Sequence, residues 1–91
     1  MRYIIAYDIE KDGARNKAAK LLGECGVRIQ KSVFDCKLSK PELKKLKNDL
    51  KELINDKKDS VLFLFICDKC YAKRSFLGVS YSEKIVNSLF V

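Results

Sequence analysis

The run Tyr3-Ile4-Ile5-Ala6-Tyr7-Asp8-Ile9 predicts a β-strand from about Arg2 to Ile9, because β-branched and aromatic side chains favour extended backbone. Successive side chains of a strand point to opposite faces. The odd-numbered residues therefore share one face and Ile4 and Ala6 the other, so that both faces are apolar. The apolar run stops at Asp8, and polar residues 10–13 follow. A lone acid at a strand end either holds a divalent metal or caps the following turn, and both explanations stay open.

A second apolar run, Val61-Leu62-Phe63-Leu64-Phe65-Ile66, lacks the polar alternation of a half-exposed strand. Such a run predicts a strand that is buried on both faces. Two helices can cover only one face of a small sheet. A second copy of the chain is the simplest cover for the other face, so we expect a homodimer.

Two amphipathic helices are predicted between these strands. The first spans about Gly13 to Cys25, where apolar residues recur at steps of three and four. Gly26 suits the left-handed backbone position that often follows a helix. The second helix begins with the capping box Ser39-Lys40-Pro41-Glu42 and runs to about Ile54. A polar turn at 55–59 then leads into the second apolar run.

The segment between the helices, Val27 to Leu38, is rich in β-formers but changes phase. Val27 and Ile29 have one parity, whereas the apolar residues from Phe34 onward have the other. A tight turn or a bulge near Lys31-Ser32 removes this conflict. Towards the end of the chain we expect a helical turn at 71–74, a short strand at 75–77 that ends at Gly78, and a terminal strand or arm at 85–91.

This element order is βαββαβ, with both helices on one face of the sheet. The predicted class is α+β with a ferredoxin-like arrangement. Ninety-one residues correspond to one domain. We expect the domain to occupy residues 1–78, followed by a C-terminal arm at 79–91 that is able to pair with the partner protomer. This fold hosts many unrelated activities and decides no function by itself.

The charge of the chain favours a polyanionic partner. Nineteen basic residues against twelve acidic ones give a formal charge of +7, which suits nucleic acid first and an anionic membrane surface second. A merely solvated surface is the alternative. The longest apolar run, Val61 to Cys67, has seven residues and is far shorter than the roughly 20 that span a membrane. Because there is also no secretion signal, we expect a cytoplasmic location and no membrane partner.

Histidine is absent, which removes imidazole from every catalytic or metal role. The four cysteines are expected to be reduced thiols in a cytoplasmic chain. Cys67 and Cys70 form a single CxxC motif. A zinc site with four ligands would need the pairs of two chains, and we predict that the motif is not a zinc site.

Several residues are candidates for binding or cleaving a phosphodiester. Asp8 offers a hard carboxylate oxygen for Mg²⁺, and two copies of Asp8 across a two-fold axis would supply two. Arg15 and Arg28 match the geometry of a phosphate. Ser32 offers a hydroxyl at the predicted turn. Phe34 could stack on a base, although an apolar strand residue is more often part of the core.

These residues lie within a pattern that resembles a known family. The pattern comprises Tyr7-Asp8-Ile9 after an apolar strand, Arg15-x-Lys17 with Leu21-Leu22, Gly26-x-Arg28-x-Gln30-x-Ser32-Val33-Phe34, Asp59-Ser60-Val61, and Cys67-x-x-Cys70. It resembles the small CRISPR-associated endonuclease family, the small partner of the spacer integrase in prokaryotic adaptive immunity. The resemblance runs from Met1 to about Gly78, and the stretch from Gly26 to Phe34 is its specific part.

The resemblance implies a ferredoxin-like homodimer in which Asp8 of each protomer binds one shared Mg²⁺. It implies metal-dependent cleavage of phosphodiesters in RNA or double-stranded DNA, with Asp8 as the catalytic residue. It also implies a role as a DNA-gripping scaffold between dimers of the integrase subunit. Nucleic-acid contacts are then expected from Arg15, Lys17, Arg28, Ser32 and Phe34.

Three alternatives accompany this interpretation. The protein can be a non-catalytic DNA-binding scaffold in the integration complex. A family of small ribonuclease toxins shares the fold and the strand-end acid. A metallochaperone of similar fold is disfavoured, because those proteins carry CxxC after the first strand, whereas here it follows the long strand and starts at Cys67.

Overall fold

The computed structural model describes residues 1–78, and the predicted arm at 79–91, including the strand at 85–91, lies outside them. The described part is a four-stranded antiparallel sheet with strand order β2-β3-β1-β4. In chain order its elements are β1 Arg2–Asp8, α1 Asp12–Cys25, β2 Gly26–Gln30, β3 Val33–Lys37, α2 Lys40–Leu53, β4 Ser60–Ile66 and α3 Asp68–Ala72. The α+β, ferredoxin-like βαββαβ prediction is confirmed, and α3 is an addition to it.

The core lies between β1 and β3 on one side and the two long helices on the other. Ile5 of β1 faces Phe34 of β3 across the ladder, and both are almost fully buried. Ala18 and Leu22 of α1 bury their side chains in the same cluster. The remaining core residues are Tyr3, Tyr7, Ile9, Cys36, Leu38, Leu46 and Leu50. The odd-numbered positions of β1 therefore share one face, as predicted, and that face points towards the helices.

The opposite face of the sheet, which we call the open face, is also apolar. Ile4 and Ala6 of β1 lie on it and are half-buried. Strand registers bring further apolar side chains onto the same face, namely Val27, Val33, Leu62 and Leu64. No helix longer than the five-residue α3 crosses the open face within residues 1–78.

Helix α2 begins as predicted. The Ser39 hydroxyl accepts a hydrogen bond from the backbone N–H of Glu42, and the Glu42 carboxylate accepts one from the backbone N–H of Ser39. These two hydrogen bonds satisfy donors at the helix start that have no partner within the helix. Pro41 occupies the first turn, where its missing N–H has no cost.

The expectation for Gly26 is wrong. Its backbone is extended, with φ −170° and ψ −158°, and it is the first residue of β2. A Cβ at this position would meet the Asp35 carbonyl oxygen at 2.1 Å and the Cys36 Cα at 2.7 Å. Glycine is therefore needed for the close approach of β2 to the backbone of β3 rather than for a left-handed turn.

Both predicted devices, a turn and a bulge, lie between Val27 and Phe34. The pairing register shifts between Arg28 and Gln30, and a turn occupies Lys31 and Ser32. They do not bring Val27 and Phe34 to one face, because Val27 pairs with Asp35 and lies on the open face, whereas Phe34 points into the core.

Within a single chain β4 is partly buried on one face and exposed on the other, so the predicted burial of both faces depends on a second copy and stays a prediction. Val61 and Phe63 are half-buried against the core. Leu62 and Leu64 point the other way and remain 60% and 49% exposed. The expected strand at 75–77 is wrong, because these residues form an irregular segment with a bend. None of the helices within residues 1–78 has the length and apolar character of a membrane span.

Candidate active site

Asp8 is the last residue of β1 and lies opposite Ser60 at the end of the β1–β4 ladder. It has the same parity as Ile4 and Ala6, so its Cβ lies on the side of the open face. Its side chain is exposed, whereas its neighbours Tyr7 and Ile9 are buried in the core. Two buried neighbours thus fix the backbone around an acid that faces solvent.

A cavity of about 480 Å³ opens beside Asp8, between the first turns of α1 and the β2–β3 turn. It brings together four of the residues that the sequence singled out, which are Asp8, Arg15, Arg28 and Ser32. Its remaining lining residues are Tyr7, Ile9, Asn16, Ala19 and Lys31. Asp8 therefore lies at the wall of a recess that three basic residues, Arg15, Arg28 and Lys31, also line.

The guanidinium of Arg15 is held at the cavity by two contacts. One Nη donates to the Ile9 carbonyl oxygen at 3.4 Å, and the other forms an ion pair with Asp12. The side chain remains 41% exposed. Because Ile9 adjoins Asp8, the first turn of α1 sets the position of this cation relative to the strand-end acid.

Arg28 is held by the turn between β2 and β3. Its Nε and Nη2 donate to the Lys31 carbonyl oxygen at 3.0 and 2.6 Å. Its guanidinium carbon lies 5.4 Å from the centre of the Phe34 ring, within the range of a cation–π contact. The Tyr7 hydroxyl also donates to the Lys31 oxygen, at 3.5 Å. The Lys31 carbonyl thus links the Arg28 side chain, which lines the cavity, to Tyr7 of the core.

Two of the expected nucleic-acid contacts are not at the cavity wall. Phe34 is 1% exposed and its ring stacks on Tyr7 with 6.2 Å between centroids, so base stacking on Phe34 is corrected to a core role. Lys17 is exposed on α1, but it lines a groove between α1 and α2 together with Glu24 and Asp49. Lysine and arginine two positions apart on a helix point in different directions, and this separates Lys17 from Arg15.

Asp59, to which the sequence analysis gave no role, supports the loop that follows Asp8. The Asp59 carboxylate accepts hydrogen bonds from the backbone N–H groups of Asn55 and Glu10, each at 2.9 Å. These bonds, the one from Asn55 first, hold the pKa of Asp59 below its ordinary value. Asp59 thereby ties the loop after Asp8 to the turn before β4.

A cluster at the other end of β1 was also missed. Arg2 forms an ion pair with Asp35 at 2.9 Å, and the Tyr71 hydroxyl donates to the same carboxylate at 2.8 Å. The guanidinium carbons of Arg2 and Arg74 lie 3.7 and 3.8 Å from the centre of the Tyr71 ring. The cluster fastens α3 to the open face. Its partners are far apart in sequence, so no local pattern reveals it.

The donor set at Asp8 fits a hard divalent cation in part. Within residues 1–78, no three Cys, Asp or Glu side chains converge in a way that could hold a metal ion. One chain therefore brings a single exposed carboxylate to this point. Mg²⁺ commonly takes one or two protein carboxylates and keeps several waters, so that two copies of Asp8 would complete such a set.

Comparison with known proteins agrees with this geometry. The family model described as CRISPR associated protein Cas2 matches residues 1–74. The "CRISPR-associated endoribonuclease Cas2 4" of Rhodospirillum rubrum is 39% identical over 84 residues, which is 92% of this chain and 68% of that protein. The "CRISPR-associated endoribonuclease Cas2 1" of Chloroflexus aurantiacus is 38% identical over 86% of this chain and 85% of that one.

Solved structures give the same result. The crystal structure of Streptococcus pyogenes Cas2 at pH 6.5 superposes with a TM-score of 0.79 at 28% identity, covering 86% of this chain and all of that one. A hypothetical protein from Thermus thermophilus, TT1823, superposes with a TM-score of 0.78 at 33% identity and covers 87% and 92% of the two chains. With its fold, its strand-end acid and the family match over residues 1–74 in agreement, the chain belongs to the Cas2 family of CRISPR-associated proteins.

Proposed function

We propose that this protein is a Mg²⁺-dependent endonuclease that hydrolyses phosphodiester bonds of RNA or double-stranded DNA. The observation that carries the proposal is the exposed Asp8 at the wall of a cavity that Arg15 and Arg28 also line. Several relatives bear the name endoribonuclease, and one from Thermus thermophilus is named an endonuclease. An acid beside a basic recess offers one group that would hold a metal ion and others that would bind a phosphate.

Asp8 would hold the metal ion, together with Asp8 of a second copy. When bound, Mg²⁺ polarises a phosphate and lowers the pKa of a water that attacks phosphorus. The basic side chains of the cavity act on the substrate directly. Arg15 and Arg28, each held by backbone carbonyls, offer donors to phosphate oxygens with little further loss of side-chain entropy. Ser32 adds a hydroxyl that can donate to the same oxygens.

The homodimer is part of this proposal. The open face carries Leu62 and Leu64 at 60% and 49% exposure, next to the half-buried Ile4 and Ala6. A contiguous apolar face of this kind is rare on a protein that stays monomeric in water. Because Asp8 lies on the same side of β1 as Ile4 and Ala6, a second copy that covers this face also approaches Asp8.

The decisive experiment is a nuclease assay on the wild type and on Asp8→Ala, with RNA and duplex DNA and with Mg²⁺ or a chelator. Asp56→Ala is the matched control, since Asp56 is an exposed acid in the turn at 55–59 and not part of the cavity wall. We expect Mg²⁺-dependent cleavage that is lost in Asp8→Ala and kept in Asp56→Ala. Cleavage at the full rate in Asp8→Ala would remove Asp8 from the catalytic role.

A second candidate function is a non-catalytic DNA scaffold that works with the CRISPR spacer integrase. The formal charge of +7, which doubles in a dimer, favours DNA binding whether or not the chain cleaves. Duplex binding should then be largely independent of sequence and should weaken steeply with salt, because counterions are released when phosphates are neutralised. Intact DNA in the nuclease assay, with binding retained, would support the scaffold. An affinity that is unchanged between low and moderate salt would contradict DNA binding by either route.

A further inference from the structure

Cys67 and Cys70 differ from the other two cysteines in their surroundings. Cys36 is fully buried, with its thiol directed at the Leu22 carbonyl oxygen at 3.9 Å, and Cys25 is half-buried. Cys67 and Cys70 are both exposed, at the start of α3. We propose that Cys67 and Cys70 form a redox modification site that closes a reversible intramolecular disulfide by exchange with low-molecular-weight disulfides.

The backbone between the two thiols already has the right shape for this bond. The Tyr71 N–H donates to the Cys67 carbonyl oxygen at 2.9 Å, which closes one helical turn around Cys70. Residues three apart in such a turn have Cα atoms about 5 Å apart, from a rise of about 1.5 Å per residue and a radius of about 2.3 Å. Disulfides span Cα separations of about 4.4–6.8 Å. Ring closure therefore needs rotation of the side chains and little movement of the chain.

The base of this turn is fixed to the sheet. Tyr71 follows Cys70 directly and donates to the Asp35 carboxylate at 2.8 Å. The guanidinium carbon of Arg2 also lies 3.7 Å from the centre of the Tyr71 ring. These contacts hold the turn in place at the Arg2 end of the open face, and both thiols are exposed in the single chain, which is the combination that an exchange reaction needs.

The two thiols are not equivalent. The Cys70 backbone N–H and the Cys70 thiol lower the pKa of Cys67, and the same contact raises the pKa of Cys70. The thiolate is the reactive form of cysteine. Cys67 is therefore the attacking sulfur and Cys70 is the resolving one.

The exchange balances in two steps. The Cys67 thiolate attacks one sulfur of a small disulfide such as oxidised glutathione, whose S–S bond breaks and releases one thiolate. Cys70 then loses its proton to solvent and attacks Sγ of Cys67, which releases the second thiol. The protein gives up two electrons and two protons in total, and the oxidant becomes two thiols.

This site is separate from the proposed active site. Arg2 pairs with Ile66, next to the thiols, whereas Asp8 pairs with Ser60 at the other end of the same ladder. A seven-residue strand places these ends roughly 20 Å apart, at about 3.4 Å per residue. The proposal therefore stands whether or not the protein cleaves nucleic acid.

The test uses the full chain, purified without metal and reduced. It is exposed to a glutathione buffer in which the oxidised form is in excess, quenched with acid, alkylated and mapped by mass spectrometry. We expect a loss of two hydrogen atoms per chain and one Cys67–Cys70 disulfide, while Cys25 and Cys36 remain free. Excess reduced glutathione should restore both thiols.

Three variants assign the roles. Cys70→Ser should accumulate a glutathione adduct on Cys67. In Cys67→Ser, the remaining exposed thiol of Cys70 should react with oxidised glutathione at least about tenfold more slowly than the wild type does. Cys25→Ser is the matched control and should form the disulfide as the wild type does. Either a persistent glutathione adduct on Cys67 of the wild type or unreacted thiols would overturn the proposal. Stoichiometric zinc that protects both thiols would overturn it as well. Circular dichroism of each variant identifies a loss of fold.

Discussion

The Asp59 carboxylate accepts a hydrogen bond from the backbone N–H of Glu10 at 2.9 Å, across 49 residues of sequence. A second bond, from the N–H of Asn55, completes the bridge between the loop after β1 and the turn before β4. Asp8 lies two residues before Glu10, so the bridge limits the freedom of the loop that leaves the site.

Asp59→Ala should lower the urea midpoint of unfolding, because two backbone donors lose their acceptor. The pKa of Asp59 lies below its ordinary value of 3.8 in the folded chain. Its contribution to stability is therefore fully present above that value and is lost as the pH falls through the lower folded-state pKa. The midpoints of wild type and variant should differ most above about pH 5 and converge in acid. Asp56→Ala should follow the wild type at every pH, and an equal effect of both substitutions would exclude the bridge.

Gly26→Ala should destabilise the protein by about 1–3 kcal/mol, the usual range for overpacking. The added Cβ would meet the Asp35 carbonyl oxygen at 2.1 Å, and this contact is with backbone that has no rotamer to change. Gly23→Ala is the opposite case. Gly23 lies in α1 with nothing within 4 Å of its Cβ position, so alanine should stabilise the helix by about 0.5–1 kcal/mol. Urea denaturation of both variants measures the contrast, and a neutral Gly26→Ala would contradict the close strand approach.

Phe34→Ala should destabilise the fold by about 3–5 kcal/mol, as expected for loss of a buried aromatic side chain. Phe34 is 1% exposed, so the milder Phe34→Leu should leave duplex DNA affinity close to that of the wild type. Denaturation measures the first effect and fluorescence anisotropy with labelled DNA the second. A stable Phe34→Leu protein that loses most of its DNA affinity would instead assign base stacking to Phe34.

Leu64→Lys should convert a dimer into a monomer at micromolar concentration. Leu64 is 49% exposed on the open face in one chain. Burial of an unpaired ammonium against an apolar partner surface costs several kcal/mol, which is at least about a hundredfold in affinity. Asn48→Lys adds the same charge on the exposed surface of α2 and serves as the control. Sedimentation velocity compares the three proteins. A wild type that sediments as a monomer would remove the dimer from the proposal.

Much of the fold could be predicted from local patterns. The period of apolar residues located both long helices, and the capping box at Ser39 and Glu42 fixed the start of α2. The phase change between Val27 and Phe34 revealed the turn and the register shift. These features depend on neighbours in sequence, and a local pattern is sufficient to describe them.

The errors have a common physical cause. Gly26 follows a helix as C-capping glycines do, but it is required by contact with Asp35 of another strand. The bridge at Asp59 and the cluster around Tyr71 likewise join residues tens of positions apart. At the site, the sequence marked Asp8, Arg15, Arg28 and Ser32, which the fold does bring to one cavity. The apolar character of Phe34 already favoured the core, although Phe34 was kept among the expected contacts. The sequence could not separate Lys17, because the direction of an exposed helix residue relative to the site is set by tertiary packing.

The strand order has a consequence for how the protein is made on the ribosome. β1 is synthesised first, yet one of its two neighbours is β4, whose residues Ser60 and Ile66 pair with Asp8 and Arg2. Pairs so distant in sequence form slowly and late. A nascent chain that stops before residue 60 can add only β3 to β1 and leaves the other edge of β1 unpaired. The backbone around Asp8 thus acquires its final form only when most of the chain has emerged, and shorter translation products lack a completed site.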